Sequence, residues 1–348
     1  MLIEENKPLA PFTTFGIGGT ARFFCSARTE AEIAEAVVWA HERGVKVFVI
    51  GGGSNLLVSD AGFDGLVLLV GLRGIAAENA NGQTIYQVAA GEDWDNFVAC
   101  STQAGCAGIE CLAGIPGTVG GTPVQNVGAY GQEVAAVIER VRAFDFEERG
   151  FVEFPASECG FAYRRSRFNT ADRGRYVVTR VDCRLTPGGA PTVRYAELER
   201  ALEGRELSVG EVAEAVRRLR QSKGMLIVEG DADCRSAGSF FKNPVVNEDE
   251  FQRIAAVSAK QAPSFPAAPD PENQGMIKVP AAWLIEQAGF SKGYALGRAA
   301  VSSRHTLALT NLGGASATEV LALAAKITAA VEERFGIRLE MEPVMVGF

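Results

Sequence analysis

The sequence lacks the features of several large classes of protein. Its 348 residues carry 34 Lys and Arg against 42 Asp and Glu, a formal net charge of −8. It therefore has no excess of the positive charge with which proteins bind nucleic acids and anionic membranes. No apolar run approaches the roughly 20 residues that a membrane-spanning helix needs. Glu4, Glu5 and Asn6 stand where a signal peptide would have its apolar core, so we expect a cytoplasmic protein.

Metal-binding and disulfide patterns are also missing. The 7 Cys include no Cys-x-x-Cys pair, and an odd number of Cys fits no closed disulfide framework. The histidines, His41 and His305, lie in no His-Glu-x-x-His arrangement, and we expect no metal site. With 47% apolar residues the chain can bury a sizeable core, and its length indicates two or three domains.

Capping and periodicity patterns predict both helices and strands. The predicted helices are 29–39, 94–103, 208–223, 280–288 and 316–335, and the predicted strands are 45–50, 84–91, 176–185 and 337–346. Several prolines between Gln261 and Gly275 predict an irregular surface loop. A domain boundary is expected near the helix that begins at Ser208.

Two glycine-rich loops are the first candidate binding segments. They are Gly51–Asn55, directly after a predicted strand, and Gly114–Gly121. Consecutive backbone N–H groups in such loops can bind an anion, whereas a single loop of this kind is more often a tight turn. Neither loop matches G-x-G-x-x-G, and the chain has no Gly-Lys dipeptide and no G-x-S-x-G, which argues against Rossmann, P-loop and hydrolase sites. Two such loops suggest one extended ligand.

Three further segments carry reactive side chains. Gly238–Pro244 places a serine hydroxyl beside two Phe, a Lys and an Asn, a pattern that also suits a turn before a strand. Tyr163–Phe168 contains three Arg, which suit a carboxylate or phosphate but equally a solvated turn. On the final predicted strand, Glu340 and Glu342 share one face, and their spacing does not choose between them as a functional acid.

These segments occur in an order that resembles the UDP-N-acetylenolpyruvoylglucosamine reductases, the MurB family. The segments that carry the resemblance are Thr14–Gly19, Ile50–Leu57, Gly114–Gly131, Tyr163–Arg164, Gly238–Pro244 and Leu339–Glu342. The resemblance runs from about residue 10 to the end. It implies an α+β protein with a two-subdomain FAD-binding fold of the p-cresol methylhydroxylase or vanillyl-alcohol-oxidase type, followed by a smaller α+β substrate domain. The implied bounds are 1–70 and 71–219 for the subdomains, 220–336 for the substrate domain, and 337–348 for a strand that returns to the active site.

The resemblance also implies a reaction. NADPH reduces non-covalently bound FAD, and hydride then passes to the enolpyruvyl double bond of UDP-N-acetylglucosamine enolpyruvate. The product is UDP-N-acetylmuramate, a precursor of peptidoglycan. The nicotinamide and the sugar nucleotide are expected to use one site in turn, and the protein is expected to be a monomer.

Individual residues match positions to which the family gives roles. Ser239 matches the proton donor, and Arg164 matches the residue that holds the substrate carboxylate. Glu342 matches the second stabilising residue, because counting back from Gly347 selects it over Glu340. A carboxylate beside growing negative charge is repulsive, so Glu342 is expected to be protonated or to act through a water.

The resemblance assigns the cofactor and the substrate to further residues. The cofactor-binding residues it implies are Gly51, Gly52, Gly53, Ser54, Asn55, Gly114, Ile115, Pro116, Gly117, Thr118, Gly120 and Gly121. The substrate-binding residues it implies are Tyr163, Tyr195, Lys223 and Asn243, with Tyr195 on the mobile loop of the type I branch. The segment Gly224–Cys234, next to Lys223, is longer than the linker of some relatives.

Two other functions fit part of this pattern. A flavin-dependent oxidase of the same fold would explain the glycine loops but not the combination of Arg164, Ser239 and Glu342. Neither histidine lies in a glycine loop, which argues against a covalent histidyl flavin. A non-catalytic flavin or nucleotide sensor would need only the first half of the chain.

Overall fold

The computed structural model describes residues 1–203, 207–258, 260–267 and 275–348. Within these residues the chain forms two compact units, each assembled from segments that are distant in sequence. Unit 1 comprises Met1–Lys7, Ala21–Gly53 and Asp64–Ser222. Unit 2 comprises Pro8–Thr20, Ser54–Phe63 and Lys223–Phe348.

Short strands and longer helices alternate along the described residues. The strands are β1 (Glu4–Pro8), β2 (Thr20–Ala27), β3 (Val47–Ile50), β4 (Leu56–Val58), β5 (Phe63–Val70), β6 (Ile75–Ala80), β7 (Gln83–Ala89), β8 (Cys106–Ala107), β9 (Gly128–Ala129), β10 (Gln132–Glu133), β11 (Ile138–Asp145), β12 (Gly150–Pro155), β13 (Tyr176–Pro187), β14 (Ser236–Ser239), β15 (Val245–Val246), β16 (Phe265–Pro266), β17 (Ile277–Lys278), β18 (Ala295–Leu296), β19 (Ala299–Val301), β20 (Ala308–Asn311) and β21 (Val344–Val346). The α-helices are α1 (Glu30–Glu42), α2 (Trp94–Gln103), α3 (Ala196–Leu202), α4 (Val209–Ser222), α5 (Glu248–Ala256), α6 (Ala281–Gln287) and α7 (Ala317–Phe335).

Unit 1 is built on two sheets. The first has the order β1-β2-β5-β3, in which β3 and β5 run parallel. The second is antiparallel, with the order β12-β11-β13-β7-β6. Helix α1 contacts the second sheet, where both carboxyl oxygens of Glu30 accept hydrogen bonds from Arg142 of β11. Residues of α1, of α2 and of both sheets form one buried apolar cluster.

Unit 2 contains an antiparallel sheet, β14-β20-β19-β18, together with helices α6 and α7. The apolar residues of α7 recur at helical spacing and are buried at Val320, Leu323, Ile327 and Val331. They join the apolar cluster of this unit. The parallel pair β4 and β21 belongs to the same unit, so residues near 56 and near 345 lie side by side.

The predicted helices are confirmed with small shifts at their ends. Helix α2 covers the predicted residues, and α1 continues three residues beyond the predicted end. Ser316 caps α7 through a capping box with Glu319, and Gly336 ends this helix at a φ of 69°, in the left-handed region.

The predicted final strand over 337–346 is wrong for most of its length. Only Val344–Val346 forms a strand, and Met341 makes an isolated bridge to Phe241. Pro343 interrupts the segment because it has no N–H to donate. Met341, which alternates with Glu340 and Glu342 along the chain, is itself 42% exposed, so this segment has no buried face at that point.

The predicted loop between Gln261 and Gly275 is partly wrong. Strand β16 lies within it and pairs antiparallel with β17. The segment 268–274, which includes Pro269 and Pro271, lies outside the described residues.

Candidate active-site residues

The two glycine loops touch each other inside unit 1. A Cβ on Gly52 would lie 2.6 Å from the Cα of Gly117, and one on Gly51 would lie 2.4 Å from the Oγ1 of Thr118. Real Cβ atoms do not approach backbone this closely, so only glycine fits at position 52. The loops predicted to share one ligand are therefore neighbours.

Part of the second loop is fixed by its own hydrogen bonds. The N–H of Gly114 donates to Asp95 Oδ1 at 2.6 Å, and the N–H of Gly120 donates to the Ala90 carbonyl at 2.8 Å. The N–H of Gly121 donates to the Thr118 carbonyl. The first two bonds tie the loop to α2 and to the residue that follows β7, and the third stabilises the loop internally.

Arg164 occupies a tight two-residue turn in unit 1. Ala162 and Arg165 exchange backbone hydrogen bonds of 3.0 Å across it, with Tyr163 and Arg164 at its tip. Arg164 has a φ of 56°, a left-handed conformation that is uncommon for a residue with a side chain. Such strain persists only where the surroundings impose it, and it concentrates at functional sites.

The surroundings of this turn supply that constraint. Asn126 Nδ2 donates to the Ala162 carbonyl at 3.1 Å, and Asn169 Nδ2 donates to the Arg164 carbonyl at 3.1 Å. Arg164 Nη1 donates to the Gly128 carbonyl at 3.2 Å. The turn is therefore tied to the segment that directly follows the second glycine loop.

A second guanidinium belongs to this region, and the sequence did not single it out as a site residue. Arg220 of α4 is only 9% exposed, and its Nε donates to the Gly114 carbonyl at 2.9 Å. Burial lowers the pKa of Arg220, and the charge of Arg164 lowers it further, while Tyr130 and Asp95 act in the opposite sense. The sequence does indicate that Arg220 is buried, because this residue continues the apolar stripe of Val209, Val212 and Val216 along α4.

Tyr195 lies beside Tyr130 in unit 1. Their rings meet edge to face with centroids 5.5 Å apart, and the Tyr195 side chain is 46% exposed. Burial raises the pKa of Tyr130 to about 12, with Arg220 opposing the shift. Tyr195 also precedes α3, where its carbonyl accepts the N–H groups of Leu198 and Glu199.

Ser239 and Glu342 lie on adjacent main-chain segments of unit 2. Ser239 ends β14, and the next carbonyl, of Phe240, accepts the N–H of Glu342 at 2.9 Å. Two residues along, the N–H of Lys242 donates to the Glu340 carbonyl at 2.9 Å. Asn55 joins the same group, because its Nδ2 donates to the Glu342 carbonyl at 3.3 Å.

The structure distinguishes the two candidate glutamates. The Glu340 carboxylate pairs with Lys242 Nζ at 3.1 Å, and its side chain is 74% exposed. Glu342 is half-buried, and its backbone is bonded on one side to Phe240 and on the other to Asn55. Glu340 is thus a surface ion-pair residue, whereas Glu342 is the acid nearer to Ser239 in the hydrogen-bonded pattern.

The remaining predicted substrate residues are Asn243, Lys223 and Tyr163. Asn243 Oδ1 accepts the N–H of Ala281 at 2.9 Å, which caps the start of α6. Lys223 directly follows α4, and the longer segment after it folds back on itself through Cys234, whose Sγ donates to the Leu226 carbonyl. The guanidinium carbon of Arg164 lies 5.7 Å from the centroid of the Tyr163 ring.

The described ranges hold neither a candidate metal cluster nor a candidate membrane-spanning helix. No cluster of three or more His, Cys, Asp or Glu side chains in those ranges could hold a metal ion. No helix in the described part of the chain is both long and apolar enough to cross a membrane.

Comparison with known proteins gives the class and the family. Residues 21–148 match the model of an FAD-binding domain. Residues 230–346 match the model described as "UDP-N-acetylenolpyruvoylglucosamine reductase, C-terminal domain". The chain is therefore an FAD-containing oxidoreductase, and the predicted α+β fold with an FAD-binding part and a further C-terminal domain is confirmed.

Full-length relatives carry the same family name. UDP-N-acetylenolpyruvoylglucosamine reductase of Streptomyces coelicolor is 46% identical, over 99% of this chain and 90% of the relative. That of Thermobifida fusca is 45% identical, over 99% and 98%. The crystal structure of the Thermus caldophilus enzyme, MurB, matches with a TM-score of 0.66 and 27% identity, over 99% of this chain and 98% of that one. The chain belongs to the UDP-N-acetylenolpyruvoylglucosamine reductase family, as its sequence predicts.

Proposed function

We propose that this protein reduces the enolpyruvyl double bond of UDP-N-acetylglucosamine enolpyruvate to UDP-N-acetylmuramate, for peptidoglycan synthesis, with NADPH as the reductant. The observation that carries the proposal is the hydrogen bond from the Glu342 N–H to the Phe240 carbonyl. It aligns the segment of Glu342 with that of Ser239, in the part of the chain that matches the family's C-terminal domain.

The glycine loops suit a bound FAD. The packing of Gly52 on Gly117 brings the two loops together, and backbone N–H groups of such loops are donors that a pyrophosphate can accept. Because Gly114, Gly120 and Gly121 donate their N–H groups to the protein, we assign the contacts in this loop to the amides of Ile115, Gly117 and Thr118. When bound, FAD supplies hydride transfer from NADPH to the methylene carbon of the substrate.

Ser239 is proposed to donate a proton to the carbon next to the substrate carboxylate. A serine hydroxyl is a weak acid, so its proton transfers only to a strongly basic carbon such as that of an enolate-like intermediate. The main-chain pairing of Ser239 with Ala308 in the sheet fixes the backbone of this residue. A fixed donor loses less entropy when the transition state forms.

Arg164 is proposed to hold the substrate carboxylate, where negative charge grows during the reaction. Its strained turn is anchored by Asn126 and Asn169, so the guanidinium starts from a fixed backbone. A preorganised cation stabilises developing charge more strongly in a water-poor site than in water. Glu342 is proposed to assist, protonated or through a water, because an ionised carboxylate would oppose the same charge.

The nucleotide end of the substrate is assigned to Tyr195, Lys223 and Asn243, and Tyr163 is proposed as a further substrate-binding residue. Tyr195 is half-exposed beside Tyr130, which suits stacking or hydroxyl contacts with a ligand. Asn243 would contribute its Nδ2 group, because its Oδ1 caps α6.

We propose FAD-binding subdomains at 1–70 and 71–219, with 337–348 contributing to the active site, and a substrate domain at 220–336. We also propose a monomeric enzyme of the cytoplasm that uses one site in turn for the nicotinamide and for the sugar nucleotide.

Purified protein tests the proposed reaction directly. We expect a yellow protein that oxidises NADPH rapidly only when the enolpyruvyl sugar nucleotide is present, with one UDP-N-acetylmuramate formed per NADPH consumed. Rapid NADPH oxidation with oxygen alone would instead indicate an oxidase. Substitution of NADH in the same assay measures the preference for the reductant.

A further inference from the structure

Glu110 is a carboxyl group buried completely in unit 1, where neither the reaction nor the cofactor explains it. Its side chain is 0% exposed. Three N–H groups point to its carboxyl oxygens: Gly108 N to Oε2 at 2.7 Å, and Gln132 Nε2 and Thr192 N to Oε1 at 2.8 and 2.7 Å. A buried acidic side chain is costly unless it is hydrogen-bonded in this way, so these contacts fix its neighbours firmly.

The contacts converge on Thr192. Its N–H donates to Glu110, and its carbonyl accepts the Cys111 thiol at 3.0 Å. Burial, and then the neighbouring charge of Glu110, raise the pKa of Cys111 to about 12, so the thiol keeps its proton at neutral pH and remains a donor. Gln132 closes the network, because its Oε1 accepts the Cys111 N–H at 2.7 Å. Both main-chain groups of Thr192 are therefore held by adjacent residues.

Thr192 begins the short segment that leads to Tyr195. This segment, Thr192–Tyr195, has no regular secondary structure, and α3 starts immediately after it. Gln132 and Tyr130 stand two residues apart, so one stretch of chain contacts both the start of the segment, through Glu110, and the ring of Tyr195. Fixing residue 192 limits where residue 195 can lie, because three residues of extended chain span only about 10 Å.

We propose that Glu110 is a positioning residue for Tyr195: its hydrogen bond to Thr192 holds the Thr192–Tyr195 segment in the arrangement in which Tyr195 meets the nucleotide part of the substrate. The kinetic part of this inference rests on the proposed function, and the structural part does not. Glu110 has no exposed surface, so it is proposed to act through Thr192 rather than by contact with a ligand.

The test uses Glu110→Gln in the full-length, FAD-loaded protein. The neutral amide accepts through its single oxygen, and its NH2 group must face one of the N–H donors. Even where that oxygen stays towards Thr192, a neutral acceptor binds the Thr192 N–H more weakly than a carboxylate does. We expect the KM for the sugar nucleotide to rise about tenfold, equivalent to about 1.4 kcal/mol, while kcat and the rate of flavin reduction by NADPH change less than twofold. In a double-mutant cycle with Tyr195→Ala, the KM of the double variant should equal that of Tyr195→Ala alone. The proposal would be overturned if the increases in KM of the two single variants multiplied in the double variant. A fall in kcat with an unchanged KM in the Glu110 variant would also overturn it.

A second readout does not depend on activity. Trypsin can cut after Arg194, which is exposed inside this segment. We expect faster cleavage at Arg194 in Glu110→Gln than in the wild type, and an equal rate would contradict the proposal. This measurement remains decisive even if the wild-type protein fails to reduce the proposed substrate, an outcome that would refute only the proposed function.

The control is a second buried carboxylate of unit 1. Asp145 is 1% exposed and accepts backbone N–H groups from Glu147 and Glu148 as well as bonds from Arg175, so Asp145→Asn also weakens the hydrogen bonds of a buried carboxylate, but in a different turn. It should change neither the KM nor cleavage at Arg194. If Glu110→Gln does not fold, Cys111→Ala removes only the thiol donor to Thr192; it should raise the KM in the same direction by a smaller factor, and Cys111→Ser should restore it. An unchanged KM in Cys111→Ala would count against the proposal.

Discussion

The two units carry their candidate residues in different ways. In unit 1 the candidate residues depend on backbone: Gly52 packs on Gly117, and Arg164 occupies a left-handed turn held by two asparagines. In unit 2 the candidate groups are the side chains of Ser239 and Glu342, carried on paired but otherwise ordinary extended segments.

This difference predicts different consequences of mutation. A substitution in the loops of unit 1 changes the shape of the backbone, and with it cofactor binding and stability. A substitution of a side chain in unit 2 leaves the backbone unchanged and removes one chemical step. Variants in the two units distinguish these consequences.

Removal of the proposed proton donor should separate the two half-reactions. In Ser239→Ala, the rate of FAD reduction by NADPH should remain nearly unchanged. The rate at which the reduced flavin reduces the enolpyruvyl substrate should fall on the order of 1,000-fold or more, because a positioned proton donor contributes this much. Stopped-flow absorbance of the flavin measures each half separately.

The matched control for this variant lies in the same strand. Ser236 is buried, and its Oγ accepts the N–H of Gly238 at 3.3 Å. Ser236→Ala should leave both half-reactions close to wild type. Equal losses of the two half-reactions in Ser239→Ala would show that the residue supports the structure rather than the proton transfer.

The second prediction concerns the cation of unit 1. Arg164→Lys keeps the positive charge but loses the planar fork that binds a carboxylate with two hydrogen bonds. We expect kcat/KM for the enolpyruvyl substrate to fall on the order of 100-fold, with FAD content unchanged. As a control, Arg165→Lys alters the neighbouring residue of the same turn, which the proposal assigns no role, and a comparable loss there would argue against a specific role for Arg164.

Much of the fold could be predicted from the sequence, because local signals fixed the elements. The capping residues Thr29 and Ser316 and the terminating Gly336 mark helix ends through interactions within a few residues. The prediction of the final strand was wrong because a strand depends on a partner that is distant in sequence. Alternation from 337 to 342 suggested a strand, but a strand needs a partner, and only Val344–Val346 finds one in β4.

The candidate site was predictable only in part. The order of the motifs identified the family, and with it Ser239 and Arg164 as candidates. The left-handed turn at Arg164 and the buried position of Arg220 depend on contacts between residues far apart in the chain, such as Asn126 with Ala162. No pattern within either segment predicts such contacts. An arginine on the apolar stripe of a helix does, however, indicate that its side chain is buried.

The third prediction tests the backbone character of the glycine loops. Gly52→Ala places a Cβ 2.6 Å from the Gly117 backbone, so the loops must separate, at a cost of about 1–3 kcal/mol. We expect weaker FAD retention, measured as the ratio of flavin to protein absorbance after dialysis. The control is Gly210→Ala in α4, where a Cβ meets nothing closer than 3.9 Å; it should keep FAD and increase stability slightly, because alanine favours a helix. Full retention of FAD by Gly52→Ala would show that the loops tolerate separation.

The smallest effect is expected in unit 2, away from the candidate side chains. Asp60 accepts the N–H groups of Ala317 and Thr318 at the start of α7, at 2.7 and 3.0 Å. Burial alone would raise the pKa of Asp60, but these hydrogen bonds outweigh it and lower that pKa below its usual range. A carboxylate at a helix N-terminus stabilises by between about 0.3 and 1 kcal/mol, so Asp60→Asn should reduce the free energy of unfolding by this amount at pH 7.

The pH dependence follows from the sign of that shift. Since the pKa is lower in the folded state, the contribution of Asp60 is fully present above the pKa of the unfolded chain and is lost as the pH falls through the folded-state value. The difference in free energy of unfolding between wild type and Asp60→Asn should therefore shrink in acid, which denaturant unfolding at a series of pH values measures. Asp60→Asn should not alter the flavin half-reactions, because it leaves the segments of Ser239 and Glu342 untouched. A constant difference across the series would mean that the Asp60 side chain acts through its shape rather than its charge.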